Sequence, residues 1–283
     1  FLSKSLCYYT LKMLNNYVNN KYLTKNKIEE MRENYINAKP FPHIELSNFF
    51  LIDHVREILN NFPDLQKINT YERKNKNEKK FGLENQEKMP KNISDFILFL
   101  NSQIFLKFLQ KITGINETLL PDPYLIGGGL HETKKDGFLK IHSDFYLHQY
   151  LKIDRRLNLL LYLNDDWKDE YGGHLELWDK TMTRCDKKIK FRFNHLCIFS
   201  TDNNSFHGYP EPVKCPNEKS RKSIALYYYS NGRPKKELMG SMPNTTNWKS
   251  RSGKNEVDNK YTIKDYLRKV KILRTINSIF KKK

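Results

Sequence analysis

The sequence contains few cysteines and no long hydrophobic segment. Its four cysteines, Cys7, Cys185, Cys197 and Cys215, are widely spaced and form no C-x-x-C pair. They therefore indicate neither a disulfide framework nor a cysteine-based zinc site. No apolar run approaches the roughly 18 residues of a membrane-spanning helix, so we expect no transmembrane segment and favour a cytoplasmic location. The chain begins at Phe1 rather than at a methionine, which is compatible with a trimmed start and leaves a targeting peptide open.

The composition is nevertheless that of a folded protein. Of the 283 residues, 38% are hydrophobic and 13% are aromatic, which is enough for a sizeable core and too many aromatic side chains for a disordered chain. The net charge of +18 raises the question of nucleic-acid binding. However, residues 235–283 hold 14 basic and four acidic side chains, and so account for more than half of the excess. We therefore interpret the charge as a lysine-rich surface and do not expect nucleic acid as the partner.

Three zones follow one another along the chain. Residues 1–39 show helical periodicity and form a predicted N-terminal helical extension. Residues 40–234 form the predicted main domain, and residues 235–283 a basic C-terminal extension. The apolar stripe of Thr262–Phe280 predicts an amphipathic helix at its end. That helix either packs on the domain or lies on an anionic membrane surface, and we favour packing.

From about Pro121 the main domain changes to short apolar runs separated by turn residues. Upstream of this point we expect a mobile charged loop over residues 70–91 and one helix over Asn92–Thr113. Many short strands with turn signals are typical of an all-β sandwich or barrel. The predicted fold class is therefore mainly β with flanking helices (α+β). The predicted strands are Tyr124–Ile126, Phe138–His142, Arg156–Leu163, His174–Trp178, His195–Ser200 and Lys222–Tyr229.

A histidine and an aspartate at the end of one predicted strand indicate a metal site. His142 and Asp144 are two residues apart, so their side chains point to the same face of a strand. His207 offers a third ligand after a later strand. Two histidines and one carboxylate form the ligand set of non-haem Fe(II) oxygenases. On its own the H-x-D pair is a weak signal, because a surface histidine beside a turn aspartate gives the same letters.

An arginine at the start of the last predicted strand strengthens this hypothesis. Arg221 lies 14 residues after His207 and shares a strand face with Ser223. Its guanidinium can pair bidentately with a carboxylate. A dicarboxylic keto acid that chelates the metal at one end needs such an anchor at the other end. Tyr162, on a neighbouring predicted strand, can donate its hydroxyl to the same carboxylate.

These motifs and their order resemble the Fe(II)/2-oxoglutarate-dependent dioxygenase superfamily, and within it the prolyl 4-hydroxylase-like branch. The resemblance spans about residues 40–234. It is carried by Pro121-Asp-Pro, Gly127-Gly-Gly-Leu-His131, Phe138-Leu-Lys-Ile-His142-Ser-Asp144-Phe, Arg156-Leu-Asn-Leu-Leu-Leu-Tyr162-Leu-Asn-Asp-Asp-Trp167, Tyr171-Gly-Gly-His-Leu-Glu-Leu-Trp178, His207-Gly-Tyr-Pro-Glu-Pro212 and Arg221-Lys-Ser-Ile-Ala-Leu-Tyr-Tyr-Tyr229.

The resemblance implies a double-stranded β-helix, the cupin-like jelly roll. It implies Fe(II) at His142, Asp144 and His207, with 2-oxoglutarate as cosubstrate held by Arg221 and assisted by Tyr162 and Ser223. It further implies an enzyme that uses O2 to hydroxylate an unactivated C–H bond and releases succinate and CO2, with ascorbate as an optional reductant. The expected substrate is peptidyl proline, another amino acid or a small metabolite. The oligomeric state is not indicated.

Two other functions compete with this hypothesis. One is a nucleic-acid-acting oxygenase or basic binding protein, and the other is a catalytically silent jelly-roll binding module. Similar oxidative demethylases carry a second arginine six residues after the first, where this chain has Tyr227, so that signature is absent. We interpret His131 and His148, which flank the predicted site, as solvated loop histidines that have a smaller chance of touching the cosubstrate or substrate.

Overall fold

The computed structural model describes residues 12–68, 70–234, 237, 244–254 and 256. Four of its α-helices precede most of the sheet. They are α1 (Lys25–Asn37), α2 (Ile52–Asn60), α3 (Lys91–Leu100) and α4 (Gln103–Thr113). Short 3-10 turns lie at Asn20–Tyr22, Gln86–Lys88 and Asp169–Tyr171. Among the described residues, none of the helices is both long and apolar enough to cross a membrane.

Twelve strands form one strongly curved, mostly antiparallel sheet. Along the sheet the order is β1-β9-β6-β11-β4-β3-β5-β10-β7-β8, while β12 pairs with β5 and β2 with β3. This arrangement is the nearly closed jelly roll that the sequence predicts, so the fold class is confirmed. The strands are β1 (His43–Ser47), β2 (Tyr71–Lys74), β3 (Glu78–Leu83), β4 (Gly129–Thr133), β5 (Phe138–Ser143), β6 (Asp154–Tyr162), β7 (Leu175–Trp178), β8 (Cys185–Ile189), β9 (His195–Ser200), β10 (His207–Tyr209), β11 (Arg221–Ser230) and β12 (Asn247–Trp248).

The helices cover one face of the sheet. Alternate residues of β6, such as Leu157, Leu159 and Leu161, are fully buried in one cluster with the helices. Met31 and Tyr35 of α1 belong to the same cluster. Burial of each large apolar side chain contributes about 1.5–3 kcal/mol, so this cluster holds β6 and its neighbouring strands rigidly in place. The opposite face of β6 is thereby turned into the interior of the jelly roll.

The interior of the jelly roll is aromatic at one end and polar at the other. Tyr162, Phe191 and Phe199 pack together at the apolar end. Towards the other end, Asn158 of β6 is also buried but meets polar groups. Successive residues of a strand point alternately to the helix-covered face and to the interior. One strand therefore supplies side chains both to the hydrophobic core and to the polar interior.

Two predicted elements differ from the structure upstream of the jelly roll. The charged segment 70–91 is not a loop, because β2 and β3 pair from Tyr71↔Gly82 to Lys74↔Lys79. The single helix predicted over Asn92–Thr113 is two helices, with a break at Asn101 and Ser102. The hydroxyl of Ser102 accepts the N–H of Phe105 and so caps the second helix.

Most of the predicted strands are present, but the predicted set is incomplete. Five of the six predicted segments correspond to observed strands with ends shifted by at most two residues. Tyr124–Ile126 is a turn rather than a strand, because both oxygens of Asp122 accept backbone N–H groups, those of Tyr124 and Ile126. The strands β4, β8, β10 and β12 were not predicted, and neither were β2 and β3. The amphipathic helix predicted over Thr262–Phe280 lies outside the described residues.

Candidate active site

Two paired strands bring the three predicted metal ligands together. His142 of β5 lies directly opposite His207, the first residue of β10, although 65 positions separate them in sequence. Asp144 follows β5. One ligand atom from each of the three side chains lies within 4.8 Å of the other two. The Nε2 atoms of His142 and His207 are 3.6 and 3.5 Å from the carboxylate oxygens of Asp144.

Backbone carbonyls fix the tautomer of both histidines. The Nδ1 of His142 lies 2.9 Å from the carbonyl oxygen of Lys140, and that of His207 lies 2.8 Å from the carbonyl of Ser205. A carbonyl oxygen only accepts, so each Nδ1 carries the hydrogen and donates. Each Nε2 is therefore left with a lone pair that points into the cluster. This is the arrangement in which a protein usually presents histidine to a metal ion.

The third candidate ligand, Asp144, is held by a neighbouring strand. Its Oδ2 accepts the side-chain N–H of Asn158 at 2.7 Å and lies 3.1 Å from Nη2 of Arg155. In the described part of the chain only Oδ2 receives such donors, so Oδ1 remains for another partner. Burial alone would raise the pKa of Asp144, but Arg155 and the two imidazoles hold that pKa well below its usual range. Burial also lowers the pKa of His207 to about 4.

Arg221 lies deeper in the same cavity. It is 4% exposed, and its Nε donates to the carbonyl of Gly173 at 2.9 Å. Its guanidinium carbon is 4.3–5.0 Å from the ring centres of Tyr162, Phe191 and Tyr209. Among the residues described, no carboxylate pairs with it. A buried cation with aromatic walls and no anion is ready to receive one.

The glycine pair before β7 shapes the surroundings of Arg221. Gly173 has a φ of +72°, and a Cβ added there would lie 3.0 Å from the Cδ of Arg221. Glycine is therefore required both by the left-handed backbone and by the close approach. Its carbonyl fixes the direction of the guanidinium.

The two predicted helpers of Arg221 differ in their position. Ser223 lines the cavity, and its Oγ is 3.5 Å from Nη1 of Arg221. Tyr162 is completely buried behind Arg221, and its hydroxyl has no hydrogen-bond partner among the described residues. An unpaired buried hydroxyl costs about 1–3 kcal/mol, so both Arg221 and Tyr162 fit a site that is completed by an acceptor.

The two histidines that we interpreted as solvated are in fact buried, so that prediction was wrong. The Nε2 of His148 pairs with Oδ1 of Asp122 at 3.0 Å, while its Nδ1 accepts backbone N–H groups. His148 therefore has a structural role. His131 lines the cavity and its Nε2 donates to the carbonyl of Gly127 at 3.0 Å. Burial, followed by the charges of Lys80 and Arg73, lowers the pKa of His131 well below its usual value.

Sequence reasoning missed several residues that line this cavity. Arg155 and Asn158 contact Asp144, but their spacing belongs to no motif that we used. Arg73 and Lys80 enter the cavity from the β2–β3 hairpin that we predicted to be a loop. Trp248 of β12 pairs with His142, and their rings lie 4.8 Å apart.

Comparisons with known proteins agree with this geometry. The family model of the 2OG-Fe(II) oxygenase superfamily matches residues 128–229, which include His142, Asp144, His207 and Arg221. No curated protein matches the sequence.

A solved structure shows the same fold at low sequence identity. A prolyl hydroxylase from Trichoplax adhaerens, in complex with a hypoxia inducible factor oxygen degradation domain peptide fragment, has a TM-score of 0.53 and 18% identity. The match covers 75% of this chain and 94% of that one. A Pseudomonas putida prolyl-4-hydroxylase has a TM-score of 0.49 and 13% identity. That match covers 72% of this chain and 100% of the other chain.

Proposed function

We propose that His142, Asp144 and His207 bind the Fe(II) of a 2OG-Fe(II) oxygenase, since residues 128–229 match the family model of that superfamily. The chain is a 2-oxoglutarate-dependent dioxygenase with Fe(II) and 2-oxoglutarate as its cofactors. The observation that carries the ligand assignment is the convergence of two Nε2 lone pairs and one carboxylate within 4.8 Å. Imidazole and carboxylate suit Fe(II), and the set leaves coordination positions open on the opposite side.

The rest of the cavity fits 2-oxoglutarate. Arg221 is a buried cation without a carboxylate partner in the described chain, and a guanidinium pairs bidentately with a carboxylate. Ser223 and the unpaired hydroxyl of Tyr162 lie beside it. We propose that these three residues hold the distal carboxylate of 2-oxoglutarate. The aromatic rings around Arg221 exclude water and so strengthen the charge pairing.

With Fe(II) and 2-oxoglutarate bound, the site would let O2 hydroxylate an unactivated C–H bond, with one oxygen atom entering the product and the other entering succinate, and with release of CO2. The protein's own residues hold the reacting groups in position. Asn158 and Arg155 orient Asp144, and the carbonyls of Lys140 and Ser205 orient the two imidazoles. No nucleophile or general base is required for this chemistry.

We propose an amino-acid-derived substrate, either a peptidyl proline or a related amino acid or small metabolite. The Trichoplax protein of similar fold is a prolyl hydroxylase with a bound peptide, which favours this class. The cavity is also lined by residues of the β2–β3 hairpin and by Thr246 and Trp248. We propose that these residues contact the substrate beside the candidate metal centre.

The ligand assignment is tested by an absorption spectrum. We expect Fe(II) and 2-oxoglutarate, added under anaerobic conditions, to give a metal-to-ligand charge-transfer band in the wild type. His142→Ala, Asp144→Ala and His207→Ala should each lose the band. His54→Ala is a matched control, because His54 lies on α2 and its Nε2 contacts the carbonyl of Asn16.

Other results would contradict the proposal. If all three variants bind Fe(II) as the wild type does, the ligand assignment is wrong. If the band forms but no amino acid, proline peptide or related small metabolite stimulates succinate release, the proposed substrate class is wrong.

A further inference from the structure

The strand β3 carries a lysine into the active-site cavity. Burial alternates along the strand, so that Glu78 and Lys80 face inward and Lys79 lies between them on the other side. Lys80 is 8% exposed and lines the same cavity as the candidate metal ligands. A long cationic side chain is therefore held in an enclosed space rather than in solvent.

Lys80 makes no hydrogen bond and no ion pair with any residue that the structure describes. The carboxylate of Glu78, on the same face of β3, lies 3.7 Å from Nη1 of Arg73. Burial lowers the pKa of Lys80 to about 8, an effect that Glu78 and Asp144 oppose and that Arg73 and Arg221 reinforce. A buried ammonium group without a paired anion is unfavourable. The site therefore has the electrostatic character of an empty anion site.

The other cations of the cavity already have anions. Arg155 contacts Asp144 at 3.1 Å. Arg73 lies 3.7 Å from Glu78 and 4.0 Å from Glu84. Arg221 receives 2-oxoglutarate in the proposed function. Among the described residues that line the cavity, Lys80 is the cation for which no anion has been assigned.

We propose that Lys80 binds a carboxylate of the organic substrate, so that the compound hydroxylated by this enzyme is an acid. This inference rests on the proposed function. The carboxylate belongs either to a free amino acid or to an acidic residue beside the hydroxylated residue of a peptide. An ammonium group is a compact charge that accepts either geometry. A carboxamide in the same place leaves the buried ammonium unpaired, so the site discriminates against it.

Binding to the Zn(II)- and 2-oxoglutarate-loaded protein tests the proposal without turnover. One arm titrates free amino acids, including L-proline, against their carboxamides by saturation-transfer NMR. The second arm titrates a blocked peptide containing Pro-Asp against one containing Pro-Asn. In one of the two arms we expect the acid to bind at least tenfold more tightly than its amide. A preference among the free amino acids identifies the carboxylate as that of an amino acid, and a preference among the peptides identifies it as that of an acidic residue.

Two lysine variants make the test specific. Lys80→Met keeps the aliphatic stem, and we expect it to abolish the preference for the acid and to weaken its binding about ten- to a hundredfold, as for loss of a hydrogen bond to a charged group. Lys79→Met, on the outer face of the same strand, should keep the preference. Calorimetry should give 2-oxoglutarate affinities for Lys80→Met and wild type that agree within about threefold. This difference is small compared with the effect of losing a hydrogen bond to a charged group.

Three results would overturn the inference. One is equal binding of acids and amides, and another is failure of every acid to bind the wild type. The third is a loss of 2-oxoglutarate affinity in Lys80→Met as large as the loss of acid binding, which would assign Lys80 to the cosubstrate. Failure of the proposed function is distinguishable, because the wild type would then bind no 2-oxoglutarate with Zn(II).

Discussion

Replacement of Arg221 by methionine should separate cosubstrate binding from folding stability. The guanidinium is 4% exposed and pairs with no carboxylate of the described chain. We propose that it forms two charge-assisted hydrogen bonds with 2-oxoglutarate, each of which contributes about 1.5–3 kcal/mol. Loss of both corresponds to at least a roughly hundredfold weaker affinity, since every 1.4 kcal/mol is about a factor of ten.

The effect of Arg221→Met on the stability of the metal-free protein should be small or favourable. The variant loses the bond to the Gly173 carbonyl and the contacts with three aromatic rings, which together stabilise by a few kcal/mol. It also removes the cost of burying an ion, which is several kcal/mol. These contributions are of similar size, so we expect the free energy of unfolding to change by no more than about 1 kcal/mol.

Calorimetric titration of 2-oxoglutarate into the Zn(II)-loaded protein measures the affinity, and urea denaturation of the metal-free protein measures the stability. Arg221→Lys should lie between wild type and Arg221→Met in affinity, because it keeps the charge but loses the bidentate fork. Lys222→Met is the control, since Lys222 points to the opposite face and its Nζ lies 5.9 Å from the ring of Phe62. Equal losses of affinity in Arg221→Met and Lys222→Met would refute the reasoning, as would unchanged affinity in Arg221→Met.

Three further predictions concern neighbouring residues. Asn158→Leu removes the donor to Asp144 and should weaken metal binding about ten- to a hundredfold in a chelator competition. Tyr162→Phe removes a hydroxyl that has no partner in the described chain; calorimetry should show weaker 2-oxoglutarate binding, and denaturation should show no loss of stability. His131 has a depressed pKa in the folded protein, so its contribution to stability is present above the unfolded pKa of about 6.5 and is lost as the pH falls. His131→Gln keeps a donor for the Gly127 carbonyl but does not titrate, so its unfolding free energy should fall less than that of wild type between pH 7 and pH 5.

Local patterns in the sequence predict several strands of the jelly roll because their two faces differ. Leu157, Leu159 and Leu161 alternate with residues of the interior face, and the structure buries them against the helices. The same alternation predicts that Arg221 and Ser223 lie together, and they do. Local patterns do not predict the pairing of β5 with β10, because the short strand β10 shows no periodicity of its own. His207 was selected because it follows a predicted strand, and the order of the motifs, which resembles that of a known family, supported the choice.

The β2–β3 hairpin shows where pattern reasoning fails. Glu78 and Lys80 face the interior of the protein, but that interior is a polar cavity rather than an apolar core. Periodicity in hydrophobicity therefore cannot mark the strand, and its charges are typical of a solvated loop. The broken helix has a simpler cause: the periodicity continues across Asn101 and Ser102, and the serine hydroxyl caps a new helix instead of extending the old one.

Arg155 illustrates the same limit at the metal centre. Sequence spacing places Tyr227, not a second arginine, six residues after Arg221. In the structure the guanidinium of Arg155, from β6, lies 3.4 Å from the ring centre of Tyr227 and reaches Asp144. A cation thus lies beside Asp144, the proposed carboxylate ligand, although the spacing motif is absent, because β6 and β11 are paired neighbours. Chemistry at this site depends on which strands lie side by side, and a motif defined along one strand does not detect a residue supplied by the next.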